Sequence, residues 1–138
     1  MAYGKPAPDT PEEQQALIDA LQDDKTDRFK QLVEEKAIPR PGILELMDEA
    51  LADPTIAVGV CSASTKAAAE KTLASTLGPE RVEKLDVCIL GDDVSEKKPN
   101  PMIYDEARKR VGVPADRCVV IEDSTIGLKA AKGAVRQR

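Results

Sequence analysis

Apolar positions along the chain switch between two spacings, and the switches divide it into segments. Residues 1–10 carry Pro and Gly and read as a loop. Thr10-Pro11-Glu12-Glu13 then places Thr at an N-cap, Pro at the first helical position and Glu at the third. Ala16, Leu17, Ala20 and Leu21 follow at helical spacing, which predicts a helix running, with a break near Asp23-Asp24, through Phe29, Leu32 and Val33. Pro39-Arg40-Pro41-Gly42 stops it and marks a boundary. Ile43, Leu44, Leu46, Met47 and Leu51 outline an amphipathic helix that Asp53-Pro54 ends.

The period then changes. Residues 55–61, Thr-Ile-Ala-Val-Gly-Val-Cys, form a short continuous apolar run, the pattern of a strand buried on both faces. An Ala/Lys/Glu/Leu-rich helix over 64–77 follows and stops at Gly78-Pro79. Residues 85–90 read as a second strand, closed by Gly91-Asp92-Asp93. Pro101 opens a helix through Arg110, and Gly112-Val113-Pro114 stops it. A third strand is predicted at 118–121 and a last helix at about 125–134. From residue 43 the order is α-β-α-β-α-β-α, which means parallel strands joined by helical crossovers: a doubly wound α/β sheet. No internal repeat or low-complexity tract interrupts it.

Composition narrows the picture. A chain of 138 residues is one domain's worth, and 41% apolar content suffices for a core. The aromatics are Tyr3, Phe29 and Tyr104, so the core is expected to be aliphatic. A net charge of −5 argues against nucleic-acid and anionic-membrane partners, whose footprints are basic. The chain has no histidine, which excludes His-ligated zinc, Ser-His and Cys-His nucleophile pairs and any His general base. Cys61, Cys88 and Cys118 lack C-x-x-C spacing and read as buried, reduced thiols in a reducing compartment. No apolar run reaches membrane-spanning length, and the first residues match neither a signal nor a transit peptide.

Polar signals fall where each predicted strand ends, the edge at which open α/β sheets place ligands. After the first strand comes Ser62-Ala63-Ser64-Thr65-Lys66, a hydroxyl followed by backbone N–H groups at a helix start, which suits an anion. Taken alone, Ser62 or Ser64 is more often an ordinary N-cap. After the second strand comes Lys97-Lys98-Pro99-Asn100-Pro101, which in isolation is a solvated basic turn. After the third come Glu122 and Asp123, hard oxygen donors of the kind Mg2+ takes together with substrate phosphate, or else a helix cap. A hydroxyl, a cation and two carboxylates on one edge are the parts needed to hold a phosphoryl group and Mg2+.

These residues resemble the second, third and fourth motifs of the haloacid dehalogenase-like hydrolases, in the β-phosphoglucomutase-like subgroup. The carriers are Ser62, Lys98 in Lys-Pro-Asn-Pro, and Val-Val-Ile-Glu-Asp-Ser-Thr-Ile-Gly-Leu-Lys-Ala-Ala over 119–131. From Thr10 to Ala134 the chain is similar to plant and algal CbbY-like proteins, which dephosphorylate sugar bisphosphates such as xylulose 1,5-bisphosphate. The supporting strings are those at 21–30, 40–50 and 91–99. The resemblance implies that Ser62, with the N–H groups of Ala63 and Ser64, binds the transferring phosphoryl. It implies that Lys98 bridges that phosphoryl and the nucleophile, and that Glu122 and Asp123 hold Mg2+, with Asp123 the stronger ligand. Lys25 matches a substrate-facing lysine of the helical cap. Residues 1–39 would be a remnant of that cap and 40–138 a partial Rossmann-like core. The implied partner is a small sugar phosphate, with no nucleic acid and no membrane. The implied setting is the chloroplast stroma, otherwise the cytoplasm, and the chain is expected to be a monomer if folded.

The family's nucleophile sits on an N-terminal strand ending in Asp-x-Asp-Gly-Thr/Val. Its first Asp attacks phosphorus and its second serves as acid and base. That string occurs nowhere in the 138 residues. The expectation is a piece of a longer protein, inactive by itself. A gap is expected between the strands at 118–121 and 55–61, where the family's central strand would lie, and with it poor stability or aggregation. The competing reading is a catalytically dead phosphate- or Mg2+-binding remnant, or an interaction module. A receiver-like or nucleotide-binding domain is a third, disfavoured because neither Gly-x-x-x-x-Gly-Lys-Ser/Thr nor Gly-x-Gly-x-x-Gly is present.

Overall fold

The computed structural model describes residues 8–135, without the side chain of Val135. The expected loop therefore lies mostly outside the described residues. Helix α1, Pro11–Lys36, begins as its sequence asks. The Thr10 hydroxyl accepts the Glu13 N–H at 3.3 Å and donates to the Glu13 carboxylate at 3.0 Å. The break expected at Asp23-Asp24 is absent, and α1 is continuous over 26 residues. Both acids lie on its exposed side, and Arg28 pairs with Asp24 one turn away at 2.8 Å, so the acidic step costs little as helix. Val33 is buried, and Lys71 reaches Glu34 at 3.1 Å where α1 packs on α3, Lys66–Leu77.

Helix α2, Ile43–Ala52, follows the Pro-rich linker, and the short α4, Pro79–Glu83, is tied to it. Arg81 grips both Asp48 carboxylate oxygens, each at 2.7 Å, the planar fork of a guanidinium on a carboxylate. Strands β1, Gly59–Cys61, and β2, Val87–Ile89, pair in parallel with Val60 opposite Cys88. Both are shorter than the apolar runs that announce them. Helices α5, Met102–Val111, and α6, Thr125–Val135, complete the fold. The core gathers Val87 and Ile89 of β2, Ile103, Tyr104 and Ala107 of α5, and Ala130, Ala131 and Ala134 of α6. It is aliphatic but for Tyr104, whose ring enters it against expectation.

The third strand is the main departure. Residues 118–121 follow a 3-10 turn, Ala115–Arg117, and run extended, but they join no ladder among the described residues. Val120 packs on the core, while Val119 and Ile121 are 89% and 69% exposed. An apolar run becomes a strand only when a neighbour takes its backbone hydrogen bonds. Between this segment and β1 lies a groove of about 630 Å3 lined by Ile43, Leu46, Ile56, Val58, Val119 and Ile121. The mixed α/β class and the parallel sheet hold, with two paired strands rather than three.

Candidate functional site

The loops that leave β1 and β2 are stitched together before any functional group is considered. The Ser62 N–H donates to Ile89 O at 2.9 Å, and the Gly91 N–H to Ser64 O at 2.9 Å. A side chain at Gly91 would collide with the Ala63 and Ser64 carbonyls, so glycine is needed for this close approach. Asp92 accepts the Lys66 N–H at 2.7 Å and so places a carboxylate at the positive end of α3.

Lys98 reaches back from the β2 loop to the end of β1. Its ammonium donates to Cys61 O at 3.1 Å and to Glu122 Oε1. The Lys98 and Glu122 side chains are 11% and 10% exposed. Tyr104, on α5, donates its hydroxyl to the same Glu122 oxygen, and its ring centroid lies 4.9 Å from the ammonium. The Ser124 hydroxyl donates to Glu122 Oε2 at 3.1 Å and accepts the Gly127 N–H at 2.9 Å. A Cβ at Gly127 would overlap the Glu122 carboxylate, so this cluster also depends on a missing side chain.

Burial acts to raise the pKa of Glu122, but hydrogen bonds from Lys98 and Tyr104 and the lysine's charge outweigh it, and Glu122 ends below the ordinary carboxylate value. Burial first, then the bond to Glu122, pushes the Tyr104 hydroxyl far up, so it stays a neutral donor. Burial likewise lifts the Cys61 thiol to about 11 against the opposing charge of Lys98. A thiol so protonated is no nucleophile. All three cysteines are free and partly buried.

Glu122 and Asp123 part company. Asp123 turns to Arg40, in the linker between α1 and α2, at 2.8 Å, and both side chains are well exposed. Lys98 therefore meets Glu122 and not Asp123, the acid that the resemblance marks as the stronger metal ligand. Ser62 uses its hydroxyl oxygen to accept the Ser64 N–H at 3.2 Å, which commits one of the amides expected to face phosphate. Lys25 lines a cavity of about 350 Å3 between α1 and the start of α3, shared with Gln22, Thr26, Ala63, Ser64 and Thr65. The structure thus forms two groups, Lys25 with Ala63 and Ser64, and Lys98 with Glu122, joined through the Cys61-Ser62 step. Among the described residues, no three acidic or cysteine side chains cluster as a metal site. As arranged, the carboxylates do not make a Mg2+ site by themselves. Glu122 is committed to three donors, and Asp123 would first have to leave Arg40.

Sequence reasoning missed Tyr104, Arg40, Ser124 and Gly127. Tyr104 carried a faint signal: it falls on the first turn of the helix that Pro101 opens, six residues after Lys98.

The model of the haloacid dehalogenase-like hydrolase family matches residues 4–134. A CBBY-like protein of Arabidopsis thaliana is 42% identical over 135 residues, covering 97% of this chain and 42% of that protein. A crystal structure of CbbY from Rhodobacter sphaeroides in complex with phosphate superposes with a TM-score of 0.77 at 38% identity, over 94% of this chain and 55% of that one. A point mutant of CbbY from the same organism in complex with xylulose-(1,5)bisphosphate gives a TM-score of 0.75 at 38% identity, over 85% of this chain and 52% of that one. The chain thus spans about half the length of the proteins it matches.

Proposed function

Because the chain belongs to the haloacid dehalogenase-like hydrolase family, in its CbbY-like phosphatase branch, we propose that it is the phosphoryl-holding part of an enzyme that hydrolyses a phosphorylated sugar of the xylulose 1,5-bisphosphate kind. The observation that carries the reading is the fixed ammonium of Lys98, bonded to Cys61 O at 3.1 Å and so beside Ser62 at the end of β1. There it offsets charge on a phosphoryl group that Ser62 also holds. Lys25 stands in the cavity it shares with Ala63 and Ser64 and meets the remainder of the sugar phosphate. In this reading residues 1–39 are cap and 40–138 core, and the setting is the chloroplast stroma, a reading supported by the similarity to plant proteins.

Magnesium would act only together with the family's nucleophile. Asp123 is the carboxylate that would join it, because Glu122 is held by Lys98, Tyr104 and Ser124. Since the 138 residues contain no Asp-x-Asp-Gly string, this chain binds phosphate without turning it over. Two measurements test the reading: inorganic phosphate binding by calorimetry, and phosphate release from xylulose 1,5-bisphosphate in Mg2+. Binding that is lost in Lys98→Ala, with no release, is the expected result. Wild-type protein that ignores phosphate would overturn the site, and release that vanishes in Lys98→Ala would overturn the inactivity.

A further inference from the structure

We propose that Tyr104 is a positioning residue of the phosphoryl site: its hydroxyl holds the Glu122 carboxylate and, through it, fixes the Lys98 ammonium at the end of β1. This rests on the reading of Lys98 as the cation that meets the phosphoryl group. Three separate elements build the arrangement: Lys98 from the β2 loop, Tyr104 from α5 and Glu122 from the extended segment before α6.

Tyr104 touches both members of the ion pair. Its hydroxyl shares Glu122 Oε1 with Lys98, and its ring face lies under the ammonium. Phenylalanine would serve the packing role alone, beside Ile89 and Ile103. A buried hydroxyl is costly unless it is bonded, and here its bond goes to the one acid that holds the lysine. Glu122 has little freedom left, because Ser124 takes its other oxygen and its carboxylate fills the space a Gly127 side chain would need.

The arrangement does two things for a phosphoryl site. Lysine has a long flexible stem, and fixing it on arrival of the ligand would cost rotamer entropy. Anchoring at Cys61 O and Glu122 removes that cost in advance. The Tyr104 and Ser124 donors also draw on the negative charge of Glu122, so the ion pair leaves part of the lysine's charge for a phosphoryl oxygen.

The test uses the full chain and Tyr104→Phe. The rate at which acetic anhydride acylates Lys98 is read by mass spectrometry against exposed Lys132, in the absence of phosphate. The variant is expected to lose no more of the melting midpoint than one hydrogen bond accounts for, to acylate Lys98 about fivefold faster and to bind inorganic phosphate about fivefold more weakly, the worth of one ordinary hydrogen bond. On a Glu122→Gln background, Tyr104→Phe should change the acylation rate no further. An unchanged Lys98 rate in folded Tyr104→Phe, or a further rise on the Glu122→Gln background, overturns the proposal. So does a loss of melting midpoint as large as that of Tyr104→Leu, which would make the hydroxyl part of the packing. If wild-type protein does not bind phosphate, the phosphatase reading falls, while the acylation rates still decide the role of Tyr104.

Discussion

The two edges of β1 behave as different materials. Toward β2 the strand is closed by a parallel ladder, the Ser62–Ile89 and Gly91–Ser64 bonds and the buried ion pair of Lys98. Toward residues 118–121 it faces an apolar groove, with Val119 and Ile121 turned to solvent. The same kind of apolar run lies on both sides. What differs is whether a neighbour completes the backbone hydrogen bonding. The candidate site straddles this divide: Lys98 and Glu122 belong to the closed side, and Asp123 opens to the other, where exposed Arg40 meets its carboxylate.

The contrast is broken most forcefully by paired substitutions. Ile89 is 0% exposed, and Ile89→Ala should lose about 2–5 kcal/mol, a large share of a small domain's stability, seen as an early denaturant midpoint. Ile121, 69% exposed, should tolerate Ile121→Lys within about 0.5 kcal/mol. The same change should reduce concentration-dependent association by light scattering, because a free apolar edge templates pairing. Equal destabilisation by both changes would erase the distinction between the edges.

How much of this was legible in the sequence follows from which interactions are local. Thr10-Pro11 and Pro101 announced their helices because caps are read from adjacent residues. Lys98 and Glu122 were legible as members of a site because strand ends share an edge. The divergence of Glu122 and Asp123 was not: both were read as ligands of one metal, and which partner each acid takes depends on where Lys98 and Arg40 come to rest. Tyr104 was hidden, since its role depends on how α5 is rotated against β2. Residues 118–121 misled because an apolar run records readiness to pair and not the presence of a partner.

Acid and alkaline titration sharpen the comparison with a moderate effect. Glu122 has a folded pKa below its ordinary value of 4.5, so the stability it contributes is present above that value and is lost as pH falls through the lower, folded one. Glu122→Gln should therefore flatten the fall of melting midpoint below about pH 4.5. Tyr104 has a folded pKa above its ordinary 10.0, so its contribution is present below pH 10 and is lost as pH rises beyond it. Tyr104→Phe should flatten that alkaline limb. Matching acid and alkaline curves for wild type and both variants would remove the buried ion pair from the account of the closed edge.

The smallest effect belongs to the open side. Arg40 and Asp123 are 74% and 64% exposed at 2.8 Å, so water and salt screen their attraction. Arg40→Ala should lower stability by about 0.2–1 kcal/mol at low ionic strength, and this difference should shrink toward nothing in about 1 M salt, where the Debye length is roughly 3 Å. Lys98→Ala should retain most of its cost in the same salt, because its partner Glu122 is 10% exposed and lies out of reach of mobile ions. Denaturant titrations of the two variants at both ionic strengths decide the matter. A salt-insensitive Arg40→Ala would mean that Asp123 is held from the closed side after all, and the boundary through the acid pair would have to be redrawn.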